Sequence, residues 1–391
     1  MTKVSRRNFL SAATTGIVGL GITGKAGACA GSTLSGDTAL KIKKYNNFGN
    51  TGLKVSDVSC GAISLFEPNV LRYAYDLGVN YFDTAENYLR TKSETFIGQA
   101  LKDVRDKVVI VTKHGYSERD KITRESIIQR VEASLKRMQT DYVDISLVHG
   151  VSDVKFLDNE ELQEAYATLK KDGKIRFTGF STHNAPLTLK QAIDSDFTQV
   201  VLAIYNHDEG KEIEPLLAAV HKKGIATVAM KVFAGGKHGN LKQFISHEVS
   251  YPQAAIRWVL SNKDIDCCIV TMSSYAHVEE YIGASGQPLQ RPDLQLLAEY
   301  RKATSHLYCR VSCSSCLSAC PYDVAVNDVL RYRMYFEDYK QEKEAMGYYS
   351  QLPDDKKPLP CSGCPGYCVS ACPYGLQVKQ RLVEAHDMLS V

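Results

Sequence analysis

The sequence predicts a closed (β/α)8 TIM barrel followed by a small α-helical, cysteine-rich module, and three observations carry that prediction. Between residues 41 and 300, eight short apolar runs alternate with amphipathic segments. Such alternation implies a parallel sheet, and eight repeats in about 250 residues is the size of a closed barrel. No GxGxxG follows the first run, which places a doubly wound open sheet second. Beyond residue 300 the pattern changes to two sets of four cysteines, each ending in Cys-Pro.

At 391 residues the chain can bury a large core, and 44% hydrophobic with 23% charged residues is ordinary for a globular protein. The formal charge is +3. Residues 1 to 28 hold Lys3, Arg6, Arg7 and Lys25 and no acid, so the remainder carries 43 of the 47 basic residues against all 44 acids. That balance offers no basic patch for nucleic acid.

The first 30 residues are read as a targeting segment. SRRNFL places paired arginines before FLSAATTGIVGLGITG, which is too short and too rich in Gly and Thr for a membrane span. The order closely resembles a twin-arginine export signal, which implies a periplasmic protein exported already folded. Ala26-Gly27-Ala28 offers a cleavage site, and Cys29 after it opens a lipoprotein alternative, although Ala26 stands where leucine is usual.

The eight strands are VSDVSCGA, YFDTA, VVIVTK, YVDISLVH, IRFTGFS, VVLAIY, ATVAMKV and IDCCIVT, starting at Val55, Tyr81, Val108, Tyr142, Ile175, Val200, Ala226 and Ile265. Between them, RESIIQRVEASLKRM (124 to 138) and NEELQEAYATLKKDGK (159 to 174) repeat apolar residues at three and four, with Lys, Arg and Gly toward their ends. Pro252 opens PQAAIRWVL as a first helical turn allows.

Chemistry in such a barrel belongs at the C-terminal strand ends. Those ends present Asp83, Lys113 and His149, and Tyr88 follows Asp83 in the loop. A phenol is a poor proton donor at neutral pH unless a buried cation lowers its pKa, and a lysine held by an aspartate would supply that cation. Histidine can orient a carbonyl oxygen beside the phenol. Singly, a helix cap, a solvated lysine and a satisfied histidine explain these residues, but four of them on three successive strand ends point to one site.

YNNFGNTGLKVSDVSCGA, NYFDTAENY, VIVTKHG, SLKRMQTDYVDISLVHG and KIRFTGFSTHN resemble, in order, the motifs of the aldo-keto reductase family across residues 41 to 290. The resemblance implies hydride transfer between a nicotinamide, NAD or NADP, and a small-molecule carbonyl or alcohol. It implies Tyr88 as proton donor, Asp83 and Lys113 tuning it, and His149 orienting the substrate. Ser181 falls where the family binds the nicotinamide carboxamide, with Thr182 replacing the usual asparagine. Leu202 replaces a frequent glutamine, and Lys231 stands near the tyrosine on which the ring usually stacks. Ser273 and Ser274 replace a loop bearing Lys or Arg, yet can meet a phosphate at the start of the next helix.

Cys60, Cys267 and Cys268 lie in apolar strands and are read as core thiols. The two sets read CxxxCxxCxxxCP, for Cys309, Cys313, Cys316 and Cys320, and CxxCxxxCxxxCP, for Cys361, Cys364, Cys368 and Cys372. Disulfides and zinc are the alternatives. Three thiolates on a tight loop with a fourth before proline resemble the wrapping of a [4Fe-4S] cluster in ferredoxin-like domains, although each set has one interval a residue longer than the commonest spacing. Barrel and cysteines together resemble the iron-sulfur subgroup of aldo-keto reductases. Ferredoxin precedent implies two clusters with crossed fourth ligands, Cys309, Cys313, Cys316 and Cys372 on one and Cys361, Cys364, Cys368 and Cys320 on the other.

Between the sets, VNDVLRYRMYFEDY reads as a long helix that spans the two cysteine lobes and ties them to the barrel. Its Tyr332, Tyr335, Phe336 and Tyr339 are read as packing against the rest of the domain, with an electron path or a partner surface as the alternative. The expected organisation is therefore a signal at 1–30, a barrel at 41–300 and an iron-sulfur module at 301–391. The expected function is an oxidoreductase that passes single electrons through its clusters to a one-electron carrier. A barrel with an unused tetrad, serving electron carriage or stapled by its clusters, is the alternative.

Overall fold

A computed structural model of the chain describes residues 40–116, 122–235, 244, 249–310 and 313–390. The paired arginines, the cleavage site and Cys29 lie outside the described residues.

The first predicted strand proves to be two. β1 (Tyr45–Asn47) and β2 (Lys54–Ser56) form an antiparallel hairpin, and β3 (Val58–Gly61) begins the barrel. Asp57 divides them: its carboxylate is buried and accepts from Val58 N at 2.9 Å, Ser285 Oγ at 2.6 Å and Gly286 N at 2.8 Å. The hairpin turn carries Phe48, fully buried with its ring 5.6 Å from that of Tyr81. Its companions Tyr81, Val109, Val200 and Ala226 all stand at strand starts, so the hairpin plugs the N-terminal end of the barrel.

Seven further strands complete the closed parallel barrel: β4 (Tyr81–Asp83), β5 (Val109–His114), β6 (Val143–Val148), β7 (Ile175–Thr182), β8 (Val200–Ile204), β9 (Ala226–Met230) and β10 (Cys267–Thr271), with β10 pairing back to β3. Side chains alternate sides along each strand. Tyr81, Val109, Val111, Ile145, Leu147, Val200 and Leu202 fill the interior, while Phe82, Ile110 and Cys60 face the helices. Gly179 is required where β7 meets β8, because a Cβ there would stand 1.8 Å from Val200 O. Cys60, Cys267 and Cys268 are buried core thiols, as expected.

The helix Arg124–Met138 spans the predicted residues. Thr123 and Ser126 form its capping box, Lys136 and Arg137 sit in its last turn, and Gln139 ends it in the left-handed region.

Leu40–Val391 forms one compact unit, and besides the barrel core, which has an inner and a helix-facing part, it has a separate second core. The second core belongs to the cysteine-rich module and gathers Val326, Val329, Leu330, Tyr349, Leu376 and Leu382 around Cys316, Cys361 and Cys368. Its central segment is a helical hairpin rather than one helix. Val326–Glu337 ends near Asp338, Lys340 turns the chain at φ 57°, and Glu342–Gln351 returns. The helix Val378–Leu389 packs across both. Among the described residues no helix is long and apolar enough to cross a membrane.

Candidate active site

Strand alternation brings the predicted residues together. Asp83 shares the inner face with Tyr81, and Lys113 with Val109 and Val111, at the C-terminal ends of neighbouring strands. Lys113 Nζ donates to Asp83 Oδ1 and to Thr84 O, both at 2.6 Å, with both charged side chains fully buried. Burial pushes the Asp83 carboxyl up and the Lys113 ammonium down, and each partner opposes the change in the other. Asp83 Oδ2 has no hydrogen-bond partner among the described residues.

Tyr88 stands in the loop after β4, with Lys113 Nζ 4.8 Å from its ring centroid and the His149 ring edge-on at 5.7 Å. Three non-glycine residues follow in the left-handed region, Leu89, Arg90 and Thr91, at φ of 50°, 53° and 72°. That turn is strained and needs outside support. The returning helix of the module supplies it: Asn87 Nδ2 donates to Tyr348 Oη at 2.5 Å, and Arg90 pairs with Glu344 at 3.0 Å.

One expectation is corrected here. Lys113 was expected to acidify the phenol, but the Tyr88 hydroxyl is pushed well above the ordinary tyrosine value, first by burial and then by Asp83, Tyr335, Tyr348 and Tyr339. Asp83 offsets the field of its own lysine partner. Burial, followed by the charges of Lys113, Arg331 and Lys231, lowers His149 to about 3, so its imidazole is neutral at physiological pH and acts by hydrogen bonding.

These residues open into a cavity of about 1570 Å³ whose roof is the helical hairpin. Tyr332, Tyr335 and Tyr339 of the predicted cluster line it together with Tyr348, so these tyrosines face the barrel mouth. Tyr332 and Tyr335 also touch the second core. The helical clustering was legible in the sequence, but which surface the cluster faces was not. Arg331, His183 and Cys309 line the same cavity and were not singled out for it.

Of the proposed cofactor residues, Ser181, Lys231 and Ser273 line the cavity with Leu202. Ser181 Oγ accepts from Gly150 N at 2.9 Å and keeps its hydroxyl hydrogen for a ligand acceptor, while Leu202 offers an apolar surface; this fits a nicotinamide ring and its amide. Lys231 sits in the left-handed region at φ 56°, and its ammonium lies 5.6 Å from the ring centroid of Tyr335 in the roof. Ser273 Oγ lies 3.0 Å from His277 Nδ1. Ser274 does not line the cavity: it caps the helix Tyr275–Ile282, accepting from His277 N at 3.2 Å.

The described cysteines form no disulfide. The Cys309 thiol is pushed up to about 12, first by burial, then by Cys316, Cys313, Glu209 and Cys372. Cys361 is pushed up to about 11 by burial and then by Cys320, Cys368 and Cys364. The thiols therefore neighbour one another as two quartets, each taking its fourth member from the other set. Cys316, which also feels Cys368, lies between them. Gly366 N donates to Cys364 Sγ at 3.3 Å. Among the described residues no three His, Cys, Asp or Glu converge tightly enough for a single metal ion. Eight thiols in two quartets on an apolar core suit thiolate-ligated clusters, which are wider than one ion.

Arg310 fastens this region to the barrel. Its buried guanidinium pairs with Asp208 Oδ2 at 2.5 Å, beneath the Tyr374 ring at 3.8 Å, and Tyr308 Oη donates to Asp208 at 2.8 Å.

A parallel barrel with tyrosine, aspartate, lysine and histidine at one mouth is the framework of an oxidoreductase acting on carbonyls and alcohols. The Aldo/keto reductase family model matches residues 66–302, and the chain belongs to that family. It is 31% identical over 279 residues to L-galactose dehydrogenase of Arabidopsis thaliana, covering 60% of this chain and 86% of the relative. It is 30% identical over 205 residues to the uncharacterized oxidoreductase YqkF of Bacillus subtilis, covering 49% and 66%. Among solved structures, the holo form of aldo-keto reductase AKR11C1 from Bacillus halodurans aligns with a TM-score of 0.55 at 23% identity, covering 66% of this chain and 95% of that one. The family match ends before the first cysteine set.

Proposed function

We propose that this oxidoreductase interconverts a carbonyl and an alcohol at Tyr88 with a bound nicotinamide, and exchanges single electrons through two [4Fe-4S] clusters held by its C-terminal cysteines. The observation that carries the reading is the joint lining of one cavity by Tyr88, Lys113 and His149 at the barrel mouth and by Cys309 of the first cysteine set.

A nicotinamide bound against Ser181 and Leu202 supplies or takes the hydride. Tyr88, protonated at neutral pH, donates to the alkoxide oxygen that forms on reduction, and that oxygen is the stronger base. The neutral imidazole of His149 orients the substrate oxygen beside the phenol. The Asp83–Lys113 pair holds a compact, fully buried charge under the site without leaving either group unpaired. The roof hairpin limits access of water and positions the Tyr88 loop through Tyr348 and Glu344.

Crossed quartets of thiols support the cluster assignment, and clusters bound there would carry single electrons. The relative's name, L-galactose dehydrogenase, supports a sugar-like substrate. The paired arginines support export to the periplasm, where no exchanging nicotinamide pool exists. A nicotinamide held there against Ser181 and Leu202 would have to be recharged without leaving, and a one-electron carrier reached through the clusters would be the partner for that.

Iron and acid-labile sulfide measured on protein purified without oxygen test the cluster half: about eight irons per chain are expected. Four irons, or zinc, overturn the pair of clusters. Turnover of an aldose with an artificial one-electron carrier tests the rest. Tyr88→Phe is expected to lower kcat by about 10²- to 10⁴-fold while cluster reduction by dithionite is unchanged. Full turnover on added NAD(P)H after all eight cysteines are replaced overturns the coupling.

A further inference from the structure

We infer that Arg331 and Lys231 form an anion subsite in the roof of the cavity, so that the substrate is an acidic carbohydrate whose carboxylate or phosphate is held there while its reacting carbon lies at Tyr88. This inference deepens the oxidoreductase reading above and rests on it for the identity of the reacting end.

Lys231 leaves the end of β9 in a left-handed conformation that few lysines adopt, with its carbonyl held by Asn206 Nδ2 at 3.2 Å. Its ammonium reaches the roof beside Tyr335 and has no carboxylate within ion-pair distance among the described residues. Arg331 descends from the roof helix. It pairs with Asp328 at 2.5 Å on the solvent side, its side chain is only 14% exposed, and its guanidinium stands 5.4 Å from the Tyr332 ring centroid. Of the acids lining this mouth, Glu86 has Arg130, Glu344 has Arg90, and Glu337 has Arg333 as an ion-pair partner. A guanidinium and an ammonium facing one enclosed space suit a carboxylate or phosphate.

The two cations reach the cavity from different elements, the end of β9 and the roof helix. Both cations lie within electrostatic reach of His149 and His183, which follow β6 and β7. In the closed strand order β6 lies opposite β10, after which Ser273 stands. Of the two cations, Lys231 follows β9, which pairs with β10, while Arg331 comes from the roof helix. The histidines stay neutral beneath the cations and add no competing charge.

The surrounding wall sets the rest of the ligand. Tyr332 stacks with Tyr348 at 5.6 Å and Tyr335 with Tyr339 at 5.5 Å, giving flat aromatic faces edged with hydroxyls. Asn87 Oδ1 in the same wall is buried without a partner. Aromatic faces accept the C–H face of a sugar ring, and the hydroxyls and amide accept its hydroxyl hydrogens.

The test uses the full-length holoenzyme with D-galactose, D-galacturonate and D-galactose 6-phosphate. The ratio of kcat/KM for the better acid to that for galactose is expected to be about tenfold or more, to shrink with added salt, and to fall to about one in Arg331→Gln and Lys231→Gln. Arg331→Lys is expected to restore part of it, and an unchanged melting temperature shows that the variants fold. Preference for galacturonate identifies a carboxylate, and preference for the 6-phosphate a phosphate. Equal use of neutral and acidic sugars, or a ratio that survives both substitutions, overturns the subsite while leaving the oxidoreductase reading intact. Calorimetric binding of the non-reducing acid D-galactonate, expected to weaken about 10- to 100-fold in Arg331→Gln, needs no turnover. Binding lost in that way from a protein that turns over no sugar supports the subsite and sinks the carbonyl chemistry instead.

Discussion

Tyr88 illustrates how one side chain takes opposite influences from two parts of the chain. Lys113 lies beneath its ring, but Asp83 and three roof tyrosines combine with burial to keep the phenol protonated. Because kcat/KM reports groups of the free enzyme, carbonyl reduction is expected to stay level from pH 6 to pH 9. Alcohol oxidation needs the phenolate, whose fraction rises with pH below its raised pKa, so its kcat/KM is expected to climb about tenfold per pH unit over the same range. Initial rates in both directions check this. A break near pH 6.5 would instead reveal a titrating histidine and contradict the neutral imidazole of His149.

At the scale of elements, the roof hairpin and the cysteine loops act on the barrel through few contacts of high consequence. Asp208, in the loop after β8, is 4% exposed and takes both Arg310, at 1%, and the half-exposed Arg301. Asp208→Ala leaves the Arg310 guanidinium buried and unpaired, and the cost expected for such a change is about 3–5 kcal/mol. Denaturant unfolding measures it, and Asp208→Asn, which retains a hydrogen-bond acceptor, should lose less. Neither Asp208 nor Arg310 stood out in the sequence, because an ion pair 102 residues apart has no local signature. The eight strands did, since alternation and apolar runs are local. The division at Asp57 was also written there as an acid inside an apolar run, but its meaning depends on Ser285 and Gly286, which stand 228 and 229 residues further along the chain.

The whole molecule stores neutral histidines that the unfolded chain would protonate. His114 is fully buried and lowered to about 3 by burial and the charges of Arg130, Arg137 and His149; His207 is 3% exposed and lowered to about 4, chiefly by burial. Below the unfolded histidine value of about 6.5 the unfolded state binds more protons than the native one, so stability falls as pH drops from there toward 4. Thermal unfolding between pH 7.5 and 4.5 should show a steadily decreasing Tm. Replacing His207 with Gln should flatten part of that slope, and an unchanged slope would remove His207 from the account.

By itself the sequence determined the barrel, the inward facing of Asp83, Lys113 and His149, and the two cysteine sets, because each rests on spacing along the chain: a period of two in strands, a period near 3.6 in helices, and short intervals between thiols. Only the tertiary structure decided that the tyrosine helix roofs the active site, that Cys309 faces the same cavity as Tyr88, and that Lys231 and Arg331 share one enclosed space. Those relations join residues far apart in the chain. They depend on how the module docks over the barrel mouth, where burial and charge act through space and leave no periodic trace in the order of amino acids.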